Sequence, residues 1–564
     1  MATESNRMPM MGRRQFIGSA LAVSALTALA GCSGGTGSTS GSAPTGDTGS
    51  ASSGDNVMSI YTSEPAFIDP YNAKEVQGTM VVLACFDTLV SWDWDTNTAV
   101  PLAAAELPSL SDDKLTYTFK LREGMTFHNG DPVDAASFKR AWERLADPTM
   151  STPSDIGYHL QPVARYQDMV DGNATEMSGL ACPDDLTFEV TLTAPMADFL
   201  AVCCHPGLSP VPQAAIDDPA TFLEQPIGNG PFMLDEPWQH NQYISCSRFE
   251  DYYGDAPKLD GVYFAIHSQP DTAFNEFEAG SLDFAQIPSG RIQQTIDAYG
   301  QSDDGYTVEP GKQVLVGSQV STYFIALNTQ DDLLSNVDLR RAVSLAINRQ
   351  NIVDTLFEGT REVADTIFPR AIDSDDEDIW QYCTYDPEQA AQLLDAAGYP
   401  AADDGSRGLT LTLSYDSGRG HEDIMSSIQA DLEAVGITVT QDTAEWAVHL
   451  TKMSEGSFQM ARSGWTADYP TMDNFLYPNF YSTAADNYPH YNNPEVDAAI
   501  DAARQIEDED ERKAAYRKVC HMIGEDMPLV PIMYYAHNYV GSERVQSFYY
   551  DAQQHPDFRN AELA

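Results

Sequence analysis

Residues 458–476 read FQMARSGWTADYPTMDNFL and place a cation, Arg462, and an anion, Asp468, six residues apart around Gly464 and Trp465. In an extended segment, positions two apart share a face. Arg462, Gly464, Thr466 and Asp468 are then expected on one side, and Ser463, Trp465 and Ala467 on the other. Fully extended, the two charges lie at most ~20 Å apart. That spacing suits a zwitterion of a few residues, with its ammonium on Asp468 and its carboxylate on Arg462. A purely structural reading stands beside it. Arg462 pairs with a surface acid, and Asp468 caps the helix or turn that Pro470 begins. Trp465 reads first as packing beneath such a site and second as a stacking platform.

Signatures of other chemistry are sparse. No H-E-x-x-H occurs: His421-Glu422 is followed by Met425 where a second histidine would stand. The single G-x-S-x-G spans Gly31 to Gly35, with no strand signal before it or helix signal after it, so it is no nucleophile elbow. Beyond Cys32 the chain has Cys85, Cys182, Cys203, Cys204, Cys246, Cys383 and Cys520. None lies in a C-x-x-C or Cys/His spacing that would suggest zinc. They read as small buried residues with no particular disulfide. No catalytic residue, metal or cofactor is expected.

The elements that must hold the 458–476 segment are legible in outline. Leu115, Tyr117, Phe119 and Leu121 alternate with polar residues; Glu123-Gly124 turns the chain, Met125 and Phe127 alternate again, and Asn129-Gly130 turns it once more. A helix is expected across DAASFKRAWERLADP, ending before Pro148, and a strand from Leu186 to Leu192. Residues 228–266 read as strand, turn, strand, loop, strand. After Asn328, Leu339, Val343, Ile347, Ile352 and Leu356 follow near-helical spacing, with Gly359 as the stop. Asp386-Pro387 opens a short helix that Gly398 and Pro400 end, and Asn493-Pro494 opens a longer helix or helix pair. Strands LTLTLSYD and GITVTQD lie between. The pattern is α/β with at least two lobes, and no fixed-period repeat is present.

The chain has 564 residues, too many for one ordinary core. With 84 acidic and 31 basic residues its formal net charge is -53, which repels phosphate backbones and excludes nucleic acid as a partner. The N-terminus carries Arg13-Arg14 and a small-residue apolar stretch from Ile17 to Gly31. That stretch is shorter than the roughly 20 residues a membrane span needs, so residues 1–31 read as a signal peptide. Leu29-Ala30-Gly31-Cys32 resembles a bacterial lipobox, in which the cysteine thiol receives lipid. The arginine pair with Phe16 resembles a twin-arginine export motif; an ordinary basic leader reads equally well. Residues 33–56 are rich in Gly, Ser and Thr and cannot build a core, so 32–56 is expected to be a flexible tether.

The order of segments resembles the peptide-type extracytoplasmic solute-binding proteins of ABC importers, family 5. The likeness spans about residues 57–545 and is carried by SEPAFIDPY, LPSLSDDKLTYTFKLREGMTFHNGDPVDAASFKRAWERL, IGNGPFML, YYGDAPKLDGVYF, VDLRRAVSLAINRQNIVD, YDPEQAAQLLDAAGYP, DLEAVGITV and YNNPEVDAAIDAA, in that order. The resemblance implies an α/β, two-lobed, periplasmic-binding-protein-like clamshell of three interleaved domains, of type II and the large peptide-binding class. Domain I would comprise 57–77, 209–318 and 536–564, domain II 78–208, and domain III 319–535. It implies a monomeric binding protein and not an enzyme, anchored by lipid at Cys32 on the outer face of the bacterial cell membrane. There it would capture oligopeptides by lobe closure and deliver them to ABC permease subunits. In this family the aspartate at the position of Asp468 holds the peptide α-ammonium, and the arginine at Arg462 takes the α-carboxylate at suitable lengths. The R-x-G-W-x-A-D-Y segment adds Gly464, Trp465, Thr466, Ala467 and Tyr469 to the site, and the extended peptide also runs near Glu64. Backbone pairing would accept many sequences, while contacts to the termini fix register. Thr466 replaces the cysteine of a W-C-A-D variant and removes its disulfide option. Ala467-Asp468-Tyr469 favours the oligopeptide branch. The alternative is the same scaffold with a dipeptide, an oligosaccharide or a metal chelate.

Overall fold

The computed structural model describes residues 56–564, apart from 73–74, 151, 155, 289, 374–379 and 418–420. The signal-peptide, Cys32 lipobox and tether assignments therefore lie outside the described residues, save for Asn56 at the last position of the tether. Ten strands form one sheet. In spatial order they are Thr438–Ala444, Thr410–Asp416, Met460–Thr466, Val314–Leu327, Leu529–Gly541, Phe284–Gln286, Val57–Thr62, Gly261–Ile266, Tyr243–Arg248 and Phe232–Leu234. The two long central strands, Val314–Leu327 and Leu529–Gly541, pair antiparallel, and their register shifts between Ser318 and Thr322 and again at Tyr323/Phe324. Such irregularities bend a strand and increase its local twist.

Buried apolar side chains gather in three clusters. The largest is built from the N-terminal half together with Val545, Phe548, Tyr550, Phe558 and Ala561 near the C-terminus. A second holds residues from Val320 to Met533, among them Leu339, Leu411, Phe475 and Tyr516. A small third one surrounds Phe274, Phe277 and Val540. Within the first, a separate four-stranded sheet runs Ser109–Leu110, Thr116–Lys120, Thr187–Thr191, Leu180–Asp184. Helix Ala135–Ala146 lies on it and sets Trp142 edge-on to Phe188, ring centroids 5.2 Å apart. Asp134 and Ser137 close a reciprocal capping box at its start.

The expected elements are present with two differences. Met125 and Phe127 are buried, but the segment makes only a Thr126–Pro132 bridge, because turns on either side leave too few residues for a strand. The helical stretch 337–356 is two helices, Val337–Ala346 and Arg349–Leu356. Asn348 divides them: its side chain accepts from Asn351 N–H and caps the second, while its own N–H donates to Asp431. The seven described cysteines are free thiols, five of them buried.

Candidate functional site

Strand Met460–Thr466 lies against Val314–Leu327, with Arg462 opposite Ile325 and Thr466 opposite Ser321. Ser321 Oγ donates to Thr466 Oγ1 at 3.0 Å. The strand ends there, so Asp468 stands past its end and does not continue the face of Arg462, Gly464 and Thr466. The helix after Pro470 starts at Met472 with Thr471 at the cap position, so Asp468 is not its cap. Asn474, from the first turns of that helix, holds the segment instead. Its Oδ1 accepts from Asp468 N–H at 2.9 Å and from Trp465 Nε1 at 3.0 Å, and its Nδ2 donates to Asp468 Oδ2 at 3.3 Å. Trp465 is thus tied down, half-buried against the second core. Ala467 belongs to that core and Tyr469 to the first, so Asp468 sits where the two cores meet.

Asp468 is approached there by segments that also carry first-core residues, such as Ile156, Leu160 and Cys203. The Tyr158 hydroxyl and His205 lie near enough to interact with it electrostatically. Burial raises the Asp468 carboxyl above the usual carboxylate range, and His205, Tyr158 and Asn474 offset only part of that. Burial also keeps His205 neutral, well below the usual imidazole range. No arginine or lysine pairs with Asp468 among the described residues. Asp468 and His205 open onto a cavity of about 600 Å³. Trp92 and Trp94 line it, and Trp94 is fixed by its Nε1 donating to Asp551 Oδ2 at 2.7 Å. Six aspartates, at positions 93, 95, 304, 468, 551 and 557, also line it. The one lining arginine, Arg559, is ion-paired with Asp87. Such a cavity favours a positively charged occupant.

Arg462 faces a different neighbourhood. Its Nη1 meets Asp416 Oδ1 at 3.2 Å, and Nη2 donates to the Tyr535 hydroxyl at 3.1 Å. Asp416 is 5% exposed, so the acid that Arg462 meets is not on the surface. The guanidinium lies over Tyr323 and Trp446, 5.1 and 5.8 Å from the ring centroids. Burial opposes its charge, but Tyr535, Tyr323 and Asp416 outweigh that and raise its pKa. Trp446 is 47% exposed, which leaves this neighbourhood open to solvent. Gly464 fits between strands: a Cβ there would stand 3.1 Å from Thr322 O and 3.4 Å from the Tyr535 hydroxyl. Tyr469 is buried and donates to Asp473 Oδ2 at 2.9 Å. Glu64 stands apart, holding His240 Nδ1 at 2.8 Å and Asn241 N–H at 2.7 Å. The site residues named from sequence therefore fall in three places: Asp468 and its clamp, Arg462 with Asp416, and Glu64 with His240. Asn474, Tyr158, His205, Asp416 and Tyr535 complete these places, and no spacing in the sequence marks them. No cluster of histidine, cysteine and carboxylate that could hold a metal occurs among the described residues.

Comparison with known proteins gives consistent results. A family model described as bacterial extracellular solute-binding proteins, family 5, middle, matches residues 98–487. The dipeptide-binding protein DppE of Bacillus subtilis is 29% identical over 79% of this chain and 80% of its own length. The periplasmic oligopeptide-binding protein OppA of Salmonella typhimurium is 28% identical over 84% and 86%. The crystal structure of Haemophilus influenzae OppA in complex with the peptide RPPGFSPFR superposes with a TM-score of 0.68 at 26% identity, over 90% of this chain and 99% of that one.

Proposed function

Because the chain belongs to the bacterial extracellular solute-binding proteins of family 5, we propose that it captures peptides between its two main cores and passes them to an ABC permease. The observation that carries this reading is Asp468, a buried carboxylate without a cationic partner among the described residues, placed where the cores meet at an acid-lined cavity. A peptide α-ammonium supplies the missing charge. Arg462 contributes to the carboxylate end at some lengths, sharing its charge with Asp416, while Gly464, Thr466, Ala467 and Glu64 border the peptide. Trp465 and Tyr469 support the segment from below. In this reading domain I is 57–77, 209–318 and 536–564, domain II 78–208 and domain III 319–535, and the long strands hinge near 318 and 535. Relatives named for dipeptides and oligopeptides support a peptide as the solute, while a relative of 30% identity, YgiS of Escherichia coli, is named as a probable deoxycholate-binding protein and keeps another solute as the alternative.

A two-by-two calorimetric cycle tests the amine contact. Asp468→Asn should weaken free-amine peptides by roughly 30-fold to several thousandfold, since removing one member of a buried charged pair costs about 2–5 kcal/mol. N-acetylation should do similar damage to the wild type and little more to the variant. Strictly additive losses would make Asp468 a structural residue.

The chain in this reading is also a lipoprotein, held by lipid at Cys32 and set off the membrane by residues 32–56. Among the described residues no helix is long and apolar enough to cross a membrane. Expressed in a lipoprotein-processing bacterium, the wild type should partition with membranes, and Cys32→Ala should be released or keep its leader. A soluble wild type whose mature terminus lies elsewhere would end the anchor proposal.

A further inference from the structure

The thiols of Cys85 and Cys246 are in contact, Sγ to Sγ at 3.9 Å, although 161 residues separate them in the chain. Both are buried in the first core. Cys85 ends helix Val76–Cys85. Cys246 lies within strand Tyr243–Arg248, opposite Leu234 on one side and Val262 on the other. Both backbones are held by close packing. Gly230 N–H donates to Cys85 O at 2.8 Å, and a Cβ on Gly228 or Gly230 would stand 1.8 or 2.5 Å from Cys85 backbone atoms. A Cβ on Gly261 would stand 2.4 Å from Cys246 O. Backbone on both sides thus fixes the segments that bring the two sulfurs together.

A disulfide holds its sulfurs about 2.05 Å apart, so about 1.9 Å remains to be closed. Turning a cysteine about its Cα–Cβ bond moves Sγ and leaves the backbone in place. Cys203 and Cys204 pack in the same core but are neighbours in sequence. Their Cα atoms stand about 3.8 Å apart, short of the roughly 4.4–6.8 Å that a disulfide spans. In the folded chain Cys246 is a poor nucleophile. Its hydrogen bond with Cys85, and then burial, hold its thiol well above the usual range, and the thiolate is the attacking form. Sulfurs sealed in the core are also closed to an oxidant. A bond between them has to form while the first core is still open.

We propose that Cys85 and Cys246 form a disulfide while the chain folds outside the cytoplasm, stapling helix Val76–Cys85 to strand Tyr243–Arg248. The chain belongs to an extracellular family, and disulfides persist in that compartment. The oxidant is an oxidised dithiol protein found there. One cysteine thiolate attacks its disulfide, giving a mixed disulfide and freeing one oxidant thiol. The second cysteine thiolate attacks the mixed disulfide, which forms the Cys85–Cys246 bond and frees the other oxidant thiol. Two electrons and both thiol protons pass to the oxidant, which leaves as a dithiol. The bond does not depend on which solute the protein binds. In the domain division proposed above it fastens domain II to domain I and leaves closure to domain III.

The test uses the full chain, expressed with its leader and recovered from the bacterial cell envelope without reductant. Free thiols are blocked with N-ethylmaleimide in denaturant, disulfides are reduced, and the released thiols take iodoacetamide before peptide mass mapping. Cys85 and Cys246 should carry the second label, and Cys182, Cys203, Cys204, Cys383 and Cys520 the first. The first label on Cys85 and Cys246 overturns the proposal, as does pairing of either with another cysteine. Chain refolded with reductant should melt at least about 2 °C below the oxidised chain, and Cys246→Ala should melt alike with and without reductant. Equal melting of the two wild-type forms overturns the staple. In oxidised glutathione, reduced chain should gain the bond when refolded from denaturant and not when it meets the oxidant already folded. Equal oxidation in the two orders overturns bond formation before burial.

Discussion

Asp468 is a buried charge that the described protein leaves without a counter-charge, and its titration follows from that. Burial raises its pKa, and Asp486, itself raised by burial and by the charge of Asp468, titrates in the same direction. If a peptide ammonium binds here as proposed, it stabilises the ionised carboxyl, and binding releases a proton wherever the free protein holds one. Affinity for free-amine peptides should therefore fall as pH drops through the raised pKa, by up to about tenfold per unit for one proton. N-acetylated peptides should not share that slope, and calorimetry in buffers of different ionisation enthalpy would count the proton. Burial lowers the His205 pKa and so opposes its charging over the same fall in pH. A slope identical for both peptide classes would assign the titration elsewhere. Of this neighbourhood, Asp468 was legible in sequence through R-x-G-W-x-A-D-Y. Tyr158 and His205 were not, because they arrive from distant segments on another core. Asp416 was hidden for a similar reason: strand Thr410–Asp416 reads as an ordinary alternating strand, and only the sheet order brings its last residue to Arg462.

At the level of elements, local rules succeeded where a residue type acts on its own backbone. Asp386 accepts from Gln389 N–H with Pro387 at the first helical position, and Gly398 follows the helix with φ of 95°. Asn493 and Pro494 repeat the pattern. The rules failed where a tertiary partner decides. The apolar period across 337–356 runs on without a break, but the Asn348–Asp431 hydrogen bond fixes a corner there. Asn348→Ala keeps that bond, which its backbone N–H makes, and should lower stability by about 1 kcal/mol from the lost side-chain cap. Chemical denaturation of the ligand-free chain measures it, and a change within about 0.3 kcal/mol would mean that the corner does not depend on the side-chain cap.

On the scale of the whole molecule, one group of polar residues joins the two large cores away from Asp468. Asp198, among first-core residues, accepts from the Tyr516 hydroxyl at 2.8 Å, and Tyr516 also reaches Asp473 Oδ1 at 3.2 Å. Arg512 and Arg504 meet the two carboxylates at 3.4 and 3.1 Å. Burial and Asp473 push Asp198 up to about 6. Tyr516→Phe leaves both carboxylates without their shared donor, a loss of about 1–3 kcal/mol to any state that joins the cores. If closure accompanies binding, peptide should compact the wild type in small-angle scattering and stabilise it by about 2.7 kcal/mol at a hundredfold excess over Kd. Tyr516→Phe should need more peptide for the same compaction. A radius of gyration indifferent to saturating peptide would count against closure. The α/β class and the presence of two lobes could be read from sequence. Which polar residues join the lobes could not, since Asp198, Asp473 and Tyr516 each look like a surface residue in its own segment.

The first core recruits Val545, Phe548, Tyr550, Phe558 and Ala561 from the far end of the chain, and this sets the order in which the protein can mature. A nascent chain emerges from its N-terminus, yet the packing begun by Met58 and Ile60 stays unfinished until those last side chains arrive. The second core, from Val320 to Met533, has most of its residues in hand earlier. A chain stopped after residue 541 should therefore keep the second core protected from proteolysis and leave the first one open to cleavage. If the chain crosses a membrane unfolded, that delay helps to keep its leading half threadable while the trailing end is still being made.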